Sequence, residues 1–295
     1  MKKAIVAASA IGMAAISSHA LAADPLPGKW NPFSATFDVW TGGLSVDDAE
    51  GNVNPDEDDL FVFGADLRAR LNLGDMLAIQ GDLHTDSTDD TSGNNRHEDG
   101  WYTAAHFSHY NETGLFGVMG AVAEGESDNG VATDAWLMGV EGQLYLGQST
   151  LYLQTGYFDA ESQVGEEEDA FHDAFFVRGV GRYFMSPQTR LQGEVSGAWG
   201  EQDANDKDMD IYGWGLRADH QFTDIIGAFA AYDGAYYENF DFGNGGDEGN
   251  YTEHQARIGV SFQLWRPNLV AVDRSGPTLD MPWITHWASS GNNVD

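Results

Sequence analysis

The sequence predicts an all-β protein, an antiparallel up-and-down transmembrane β-barrel of about 12 strands with short periplasmic turns and long acidic extracellular loops. Three observations predict this fold class. Apolar and polar residues alternate with a period of two, the alternating segments recur about a dozen times, and tight turns alternate with long acidic loops between them. A period of two is that of a β-strand, in which successive side chains point to opposite faces.

The segment Phe61–Leu73 shows the alternation most clearly. Its odd-numbered residues are apolar, and they are Phe61, Phe63, Ala65, Leu67, Ala69, Leu71 and Leu73. The residues between them include Asp66, Arg68, Arg70 and Asn72. In a transmembrane barrel the first set faces lipid and the second faces a polar lumen. A secreted β-sandwich with its arginines in water is the alternative interpretation.

The N-terminus carries the three parts of a secretory signal peptide. Lys2 and Lys3 form its basic region, Ala4–Ile16 its apolar region, and Ala20-Leu21-Ala22 its small-residue cleavage site. A buried N-terminal helix is the alternative interpretation of the apolar run. The predicted divisions of the chain are a signal peptide (1–22), a transmembrane β-barrel (23–265) and a C-terminal periplasmic tail (266–295).

The chain is strongly acidic and has no cysteine. Cleavage after Ala22 leaves 12 basic residues against 47 acidic ones, so the mature chain has a net charge of −35. Such a charge repels phosphate and excludes nucleic acid as a partner. A secreted chain without cysteine cannot be a disulfide scaffold. No cofactor is expected, because Gly179-Val180-Gly181 lacks the third glycine and the following helix of a nucleotide-binding motif.

Turn and loop signals divide the mature chain into twelve predicted strands. These strands are Phe33–Gly43, Leu60–Leu73, Met76–Thr85, Trp101–Tyr110, Leu115–Ala123, Thr133–Leu146, Leu151–Phe158, Phe171–Phe184, Arg190–Trp199, Asp210–Phe222, Ile226–Glu238 and Thr252–Trp265. The tight turns between them are Gly74-Asp75, Asn111–Gly114, Gly147–Ser149, Ser186-Pro187 and Thr223-Asp224. A long acidic loop follows each odd strand, which is required if all long loops face one side. An even strand number then places both termini on the periplasmic side.

Aromatic residues gather near the strand ends, where the interfacial girdles of a transmembrane barrel lie. They are Trp40, Trp101, Tyr110, Trp136, Tyr145, Tyr183, Trp199, Trp214 and Trp265. Some of these rings are expected to pack within the barrel or to line the lumen instead.

The polar strand faces carry seven of the ten arginines into the predicted lumen. On the lipid face a charge would cost about 2–4 kcal/mol at the midplane. The predicted pore-lining residues are Arg68, Arg70, Arg178, Arg182, Arg190, Arg217, Arg257, Asp66, Asp82, Glu141, Glu194 and Asp219. Two interpretations are open: guanidinium rows that pass anions along, or arginines that pair with lumen carboxylates and stiffen the barrel. The surplus of arginine over acid is too slight to establish anion selectivity.

The signal peptide, the alternating strands, the contrast between turns and loops, and the aromatic girdles together resemble bacterial outer-membrane porins. The resemblance covers nearly the whole mature chain and is architectural, without a diagnostic motif. It implies a channel in a Gram-negative outer membrane, surrounded by lipid and lipopolysaccharide, for passive diffusion of small polar or anionic solutes. An arginine-lined barrel of twelve strands is similar to the small monomeric porins for acidic oligosaccharides. A structural or adhesion-type barrel with a closed lumen is the alternative function.

The chain departs from such porins at its C-terminus, where a terminal aromatic residue normally closes the last strand and the chain together. Here Trp265 ends the strand and Arg266–Asp295 follows. Three prolines exclude this tail from the sheet. Trp283 and Trp287 are one helical turn apart, so we predict a short helix that starts after Pro282 and ends near Gly291.

Two placements of the tail are open from the sequence. It could rest on the membrane surface as an amphipathic segment. Alternatively, it folds back to the periplasmic mouth and narrows the pore, which would bring Asp280 near Arg190 or Arg182. The second placement is the one we favour, because an exposed cluster of two tryptophans and three aliphatic residues needs a partner.

One spacing suggests catalysis, His106-Phe107-Ser108. It resembles the His-x-Ser of outer-membrane lipid hydrolases, in which imidazole and hydroxyl share one strand face as base and nucleophile. The asparagine that usually follows the serine is replaced by His109. The pair is also expected near the periplasmic end and inside the lumen, away from lipid. We therefore expect no enzyme activity.

The acidic loops are candidates for loosely bound divalent cations that bridge to lipopolysaccharide phosphates. The segment Asp203–Asp210 looks like a calcium-binding loop, but it lacks the glycine and the glutamate that an EF-hand loop needs. Glu166–Asp169 is similar in charge. Solvated loops that bind no ion are the alternative, and no defined metal site is predicted.

Overall fold

The computed structural model describes residues 32–50, 60–90, 97–126, 132–163, 170–202, 207–241 and 248–289. The predicted signal peptide, the acidic run Glu166–Asp169 and residues 203–206 of the acidic segment lie outside these ranges.

Twelve antiparallel strands form one closed sheet. They are β1 (Phe33–Glu50), β2 (Leu60–Asn72), β3 (Leu77–Asp90), β4 (His97–Tyr110), β5 (Gly114–Glu126), β6 (Ala132–Leu146), β7 (Ser149–Ser162), β8 (His172–Ser186), β9 (Thr189–Gln202), β10 (Lys207–Gln221), β11 (Ile226–Asp241) and β12 (Glu248–Leu264). Each strand pairs with the next, and β1 pairs with β12, so Phe37 lies between Phe262 and Leu67. The predicted fold class and the strand count are confirmed.

The strands extend further than predicted at the end of the barrel that carries the long loops. Strand β1 continues from the predicted end, Gly43, to Glu50, and β4 begins at His97 rather than Trp101. The reason is that the alternation of apolar and polar residues is needed only where the outer face meets an apolar environment, and it stops at the edge of that environment. Backbone hydrogen bonds between paired strands need no apolar face and continue beyond it.

The outer face of the barrel is a belt of exposed apolar side chains. Val195, Leu216 and Ile258 are about two-thirds exposed, at 65%, 65% and 64%. Polar side chains such as Gln80, Ser108 and Gln154 alternate with apolar ones and are buried on the inner face. This arrangement inverts that of a water-soluble β-sandwich and is typical of a transmembrane barrel.

The predicted aromatic girdles are only partly correct. Trp101, Trp136, Tyr183 and Trp265 are exposed on the outer face, as girdle residues would be. Trp40, Tyr110 and Tyr145 instead are buried. The Trp40 ring lies flat over Gly64 of β2, where an added Cβ would stand 2.3 Å from the ring, so the glycine makes room for it.

Beyond β12 the chain turns back into the barrel. Trp265 adopts a left-handed backbone conformation, with φ of 65°. Helix α1 (Leu269–Ser275) follows, capped by the Asn268 side chain, which accepts a hydrogen bond from the Ala271 N–H at 2.9 Å. Helix α2 (Ile284–Ser289) comes after Pro282, as predicted. Within the described residues, neither helix is long and apolar enough to cross a membrane.

Candidate functional site

The tail, residues 266–289, lies inside the lumen along its length. At the turn end of the barrel, which carries the five tight turns, Arg274 donates to the carbonyls of Gly147 and Ser149 at 3.0 and 3.1 Å. Toward the opposite, loop end, Thr285 packs so closely on Gly100 that an added Cβ there would lie 3.0 Å from the Thr285 Cβ. The sequence suggested a segment at the mouth of the pore, whereas the structure places it deep within the barrel.

Two arginines of β8 hold the middle of the tail. Arg178 donates to Asp280 at 2.7 Å and to Glu194 of β9 at 2.7 Å. Arg182 donates to Asp273 at 3.1 Å and approaches Asp280 at 3.5 Å. Both carboxylates paired with Arg182 therefore come from the tail.

Wall side chains also bind the tail's backbone between the two helices. Gln80 donates to the Leu279 carbonyl at 2.7 Å, and Gln154 donates to the Asp280 carbonyl at 2.7 Å. These bonds matter because a buried backbone carbonyl without a partner costs free energy. The amide side chains of the wall thus replace the hydrogen bonds that a regular helix or sheet would supply.

Charge in the lumen shifts the pKa values of the tail's own ionisable groups. Burial alone would raise the pKa of Asp280, but the charges of Arg178, Arg182 and Arg68 outweigh it and hold that pKa well below its ordinary value of 3.8. Burial, together with the charge of Arg70, lowers the pKa of Arg266 to about 10. At neutral pH both groups remain charged.

The lumen around α2 is apolar. Trp287 is only 2% exposed, with its ring edge-on to Phe158 at 5.6 Å and tilted against Phe176 at 5.8 Å. Phe171 stacks on Phe158 at 5.9 Å and completes an aromatic wall. The sequence analysis missed this region because β8 is apolar on both faces there, so alternation gave no signal.

A line of alternating carboxylates and imidazoles runs from β2 and β3 through the tail to β12. His84 lies 2.6 Å from Asp66 and 3.2 Å from Asp86. His286 of the tail stands 3.8 Å from Asp86 and 3.5 Å from Glu253. The end of the tail is thereby linked to β3 and β12, which lie on either side of β1 and β2.

A cavity of about 120 Å³ remains between the tail and one side of the wall. Four arginines and four acids line it, namely Arg68, Arg178, Arg217, Arg257, Asp66, Glu194, Asp233 and Asp280. A second cavity of about 20 Å³ lies beside α1, toward the turn end. Arg68 and Arg217 line both cavities and both donate to Asp38, at 2.9 and 3.0 Å. We call these two contacts the Asp38 bridge; its two arginines border both spaces.

The twelve predicted pore-lining side chains all lie on the inner face of the wall, where most arginines pair with acids. Arg190 and Arg217 both bind Asp219, and Arg257 binds Asp233. Arg70 instead donates to the Gly276 carbonyl of the tail at 3.1 Å. The described inner wall also carries acids that are not among the twelve, including Asp38, Asp86, Asp233 and Glu253. The wall therefore has no surplus of arginine within the described residues.

His106 and Ser108 share the inner face of β4, as the spacing predicts, and both are buried. The imidazole of His106 lies between two carboxylates, with one nitrogen 3.1 Å from Asp82 and the other 2.9 Å from Glu141. Because both nitrogens have carboxylate partners, neither is available as a base toward Ser108. The geometry therefore favours a structural role for this pair.

One cluster of possible metal ligands lies toward the loop end among the described residues. Ligand atoms of His172, Asp173 and Glu201 are all within 4.8 Å of one another. Asp173 is exposed and accepts a hydrogen bond from Tyr157. The sequence analysis did not single out this cluster, because its members come from separate strands, β8 and β9.

The barrel is similar to solved structures of outer-membrane channels. The COG4313 outer membrane channel from Pseudomonas putida F1 aligns with a TM-score of 0.56 at 14% identity, over 82% of this chain and 99% of that chain. The NanC porin aligns with a TM-score of 0.48 at 14% identity, over 77% and 100% of the two chains. The KdgM porin in complex with disordered oligogalacturonate gives 0.48 at 8% identity, over 78% and 99%.

No protein-family model and no curated protein sequence matches the chain. At 14% identity the likeness to the COG4313 channel shows the fold alone. It confirms the architectural resemblance to bacterial outer-membrane β-barrels.

Proposed function

We propose that the protein is a porin-like channel of the bacterial outer membrane, in which small polar or anionic solutes diffuse through the passage beside the intraluminal tail. The observation that carries this proposal is the pair of polar cavities beside the tail, which share the two arginines of the Asp38 bridge. Their charged and polar lining suits hydrated solutes, and the apolar outer belt suits a lipid environment with lipopolysaccharide on the loop side.

The size of the passage limits what can pass while the tail is seated. The space beside α1 is about 20 Å³. A cavity must provide about 10–15 Å³ of such space to hold one water molecule. The seated tail therefore admits at most water and small ions at this level, and a larger solute requires α1 or the Asp38 bridge to move.

A second candidate function is a structural barrel with a permanently closed lumen. The tail itself favours it, since Leu279, Ile284 and Ala288 are fully buried in the barrel. The two candidates differ in whether the tail leaves its seat under physiological conditions. In both candidate functions the lumen wall binds the tail.

Truncation after Arg266 in planar bilayers tests the proposal. The full-length protein should give small, discrete conductance steps, and the truncated protein should give larger ones with normal barrel assembly. The larger steps follow from removing the segment that fills the lumen. A folded full-length protein that is silent, with a conducting truncated form, would support the closed barrel instead.

Assembly of the truncated barrel needs its own check, because the tail neutralises buried wall charges. Heat-modifiable migration of the folded barrel on gels is a suitable control. Equal conductance of the full-length and truncated proteins would contradict the role given to the tail.

A further inference from the structure

We propose that Arg178 and Arg182 form an anion-binding site of the lumen, and that the tail's Asp280 carboxylate is its resident occupant, which an anionic solute replaces. The inference rests on the proposed channel, since a solute would reach the site through the lumen. The inference identifies the residues that bind the solute, and it couples solute binding to the contacts that hold the tail.

The geometry of Asp280 is that of a bound carboxylate ligand. Its Oδ1 lies 2.7 Å from Arg178 Nη1, and its Oδ2 lies 3.5 Å from Arg182 Nη2. One oxygen therefore faces each guanidinium, which is how a free carboxylate or phosphate would bind between two arginines. The ring of Tyr152 supports both cations, with its centroid 6.0 and 5.3 Å from their guanidinium carbons.

Wall residues position both guanidiniums independently of the tail. Arg178 donates to Gln154 at 2.8 Å and to Glu194 at 2.7 Å. Arg182 donates to Gln192 at 3.0 Å. These contacts remain if the tail departs, so the two cations stay in place for another anion.

Charge makes the vacated site attractive to an anion. Glu194 of the wall neutralises Arg178. Arg182, in contrast, takes both of its paired carboxylates, Asp273 and Asp280, from the tail. When Asp280 alone is displaced, Glu194 and Asp273 still face the two guanidiniums, and the incoming anion takes the place of the third carboxylate. If the whole tail departs, one carboxylate remains and the site has a net charge of +1 in a confined space where charges interact strongly.

The two tail carboxylates differ in whether a solute in the lumen can reach them. Asp280 lines the cavity of about 120 Å³, and its side chain is 20% exposed. Asp273 belongs to α1, is completely buried, and also accepts a hydrogen bond from Thr150 at 2.6 Å. A solute in the cavity can therefore compete with Asp280 but cannot reach Asp273. Displacing Asp280 removes one of the contacts that hold the tail, so binding of an anion favours an open passage.

The test uses Asp280→Asn in the full-length chain, with Asp273→Asn as the matched control. The probe is inorganic phosphate added to planar bilayers in potassium chloride. Asp280→Asn removes the competing charge, so the phosphate concentration that produces half of the maximal change in current should be about tenfold or more lower than for the wild type. Asp273→Asn should show a much smaller gain in phosphate sensitivity than Asp280→Asn, because it removes an equal charge beside Arg182 but leaves the Asp280 carboxylate in the site. Equal phosphate sensitivity of all three proteins would overturn the inference.

A binding measurement decides the inference even if no variant conducts, an outcome that would count against the proposed channel. Phosphate should raise the thermal unfolding midpoint of detergent-solubilised Asp280→Asn, because a ligand stabilises the state to which it binds. It should not do so for Asp280→Asn combined with Arg182→Gln. No phosphate-dependent shift in Asp280→Asn, or the same shift in both variants, would refute the site.

Discussion

Trp287 is the residue through which the end of the tail is anchored. Helix α2 has only six residues, and a helix of that length is not stable alone in water. Its stability therefore comes from burial of Trp287 against Phe158 and Phe176. Loss of that one ring should release α2 while the barrel stays intact.

Trp287→Ala should weaken the seat of α2 by about 3–5 kcal/mol, the usual cost of deleting a buried aromatic side chain. Hydrogen exchange of residues 284–289, followed by mass spectrometry, should accelerate accordingly. Trp136→Ala is the control, since Trp136 lies on the outer face. Unchanged exchange in Trp287→Ala would mean that the polar contacts alone hold the tail.

The pKa of Asp280 predicts how the seated tail responds to acid. Because the pKa in the folded protein lies below the ordinary value of 3.8, Asp280 stabilises the fold above that value and loses the contribution as the pH falls through the folded pKa. The difference in unfolding midpoint between wild type and Asp280→Asn should therefore be constant from pH 8 to about pH 5 and shrink below about pH 4. A difference that already shrinks at pH 6 would contradict the ion pairs with Arg178 and Arg182.

At the scale of elements, the two helices of the tail lie in different surroundings. Helix α1 and the segment after it lie among charged and amide side chains near the turn end, including Arg182 and Gln80. Helix α2 lies among aromatic and small apolar side chains nearer the loop end. Polar contacts set the tail's register along the lumen, while the apolar contact supplies non-directional stability.

A disulfide between tail and wall tests the position of α2. The chain has no cysteine, so Gly100→Cys with Thr285→Cys introduces a single pair. An added Cβ at residue 100 would lie 3.0 Å from the Thr285 Cβ, a separation that small shifts bring to the roughly 3.8 Å of a disulfide. Oxidation should cross-link the pair and hold the conductance at its small value, with reduction restoring wild-type behaviour.

The control for this cross-link is Thr113→Cys with Thr285→Cys. Thr113 lies in the turn between β4 and β5, at the other end of the barrel. This pair should remain reduced under the same oxidation. If neither pair cross-linked, α2 would not lie against Gly100.

At the scale of the whole molecule, the arrangement of the connections sets its orientation in the membrane. Short turns gather at one end, where the tail enters, and the long acidic loops belong to the other. In transmembrane barrels the short turns face the periplasm. The tail therefore enters the lumen from the periplasmic side in the proposed orientation.

Epitope tags test this orientation. Tags inserted at Asn94, Asn205 or Gly245 should bind antibody on intact cells, because these residues belong to the acidic loops. Tags within Asn111–Gly114 or at Gly147 should bind only after the outer membrane is permeabilised. Surface labelling of the second group would reverse the orientation.

The sequence alone determined the barrel, its twelve strands and the inward direction of its arginines. These features are local: a period of two needs only neighbouring residues, and a tight turn needs only its own few. Strand ends toward the loops were predicted too short, because ladder hydrogen bonds continue past the apolar belt. Even the short helix after Pro282 followed from local signals.

Only the tertiary structure decided what fills the lumen and which charges pair there. Arg178 and Asp280 are 102 residues apart in the chain, and Gln80 and Leu279 are 199 apart. No periodicity reports a contact between such distant segments. The apolar seat of Trp287 was equally hidden, since a strand that is apolar on both faces has no alternation to reveal which side is inside. The physical reason is that the groups that bind the tail come from many different strands. They come together only when the barrel closes, so no single stretch of sequence contains them.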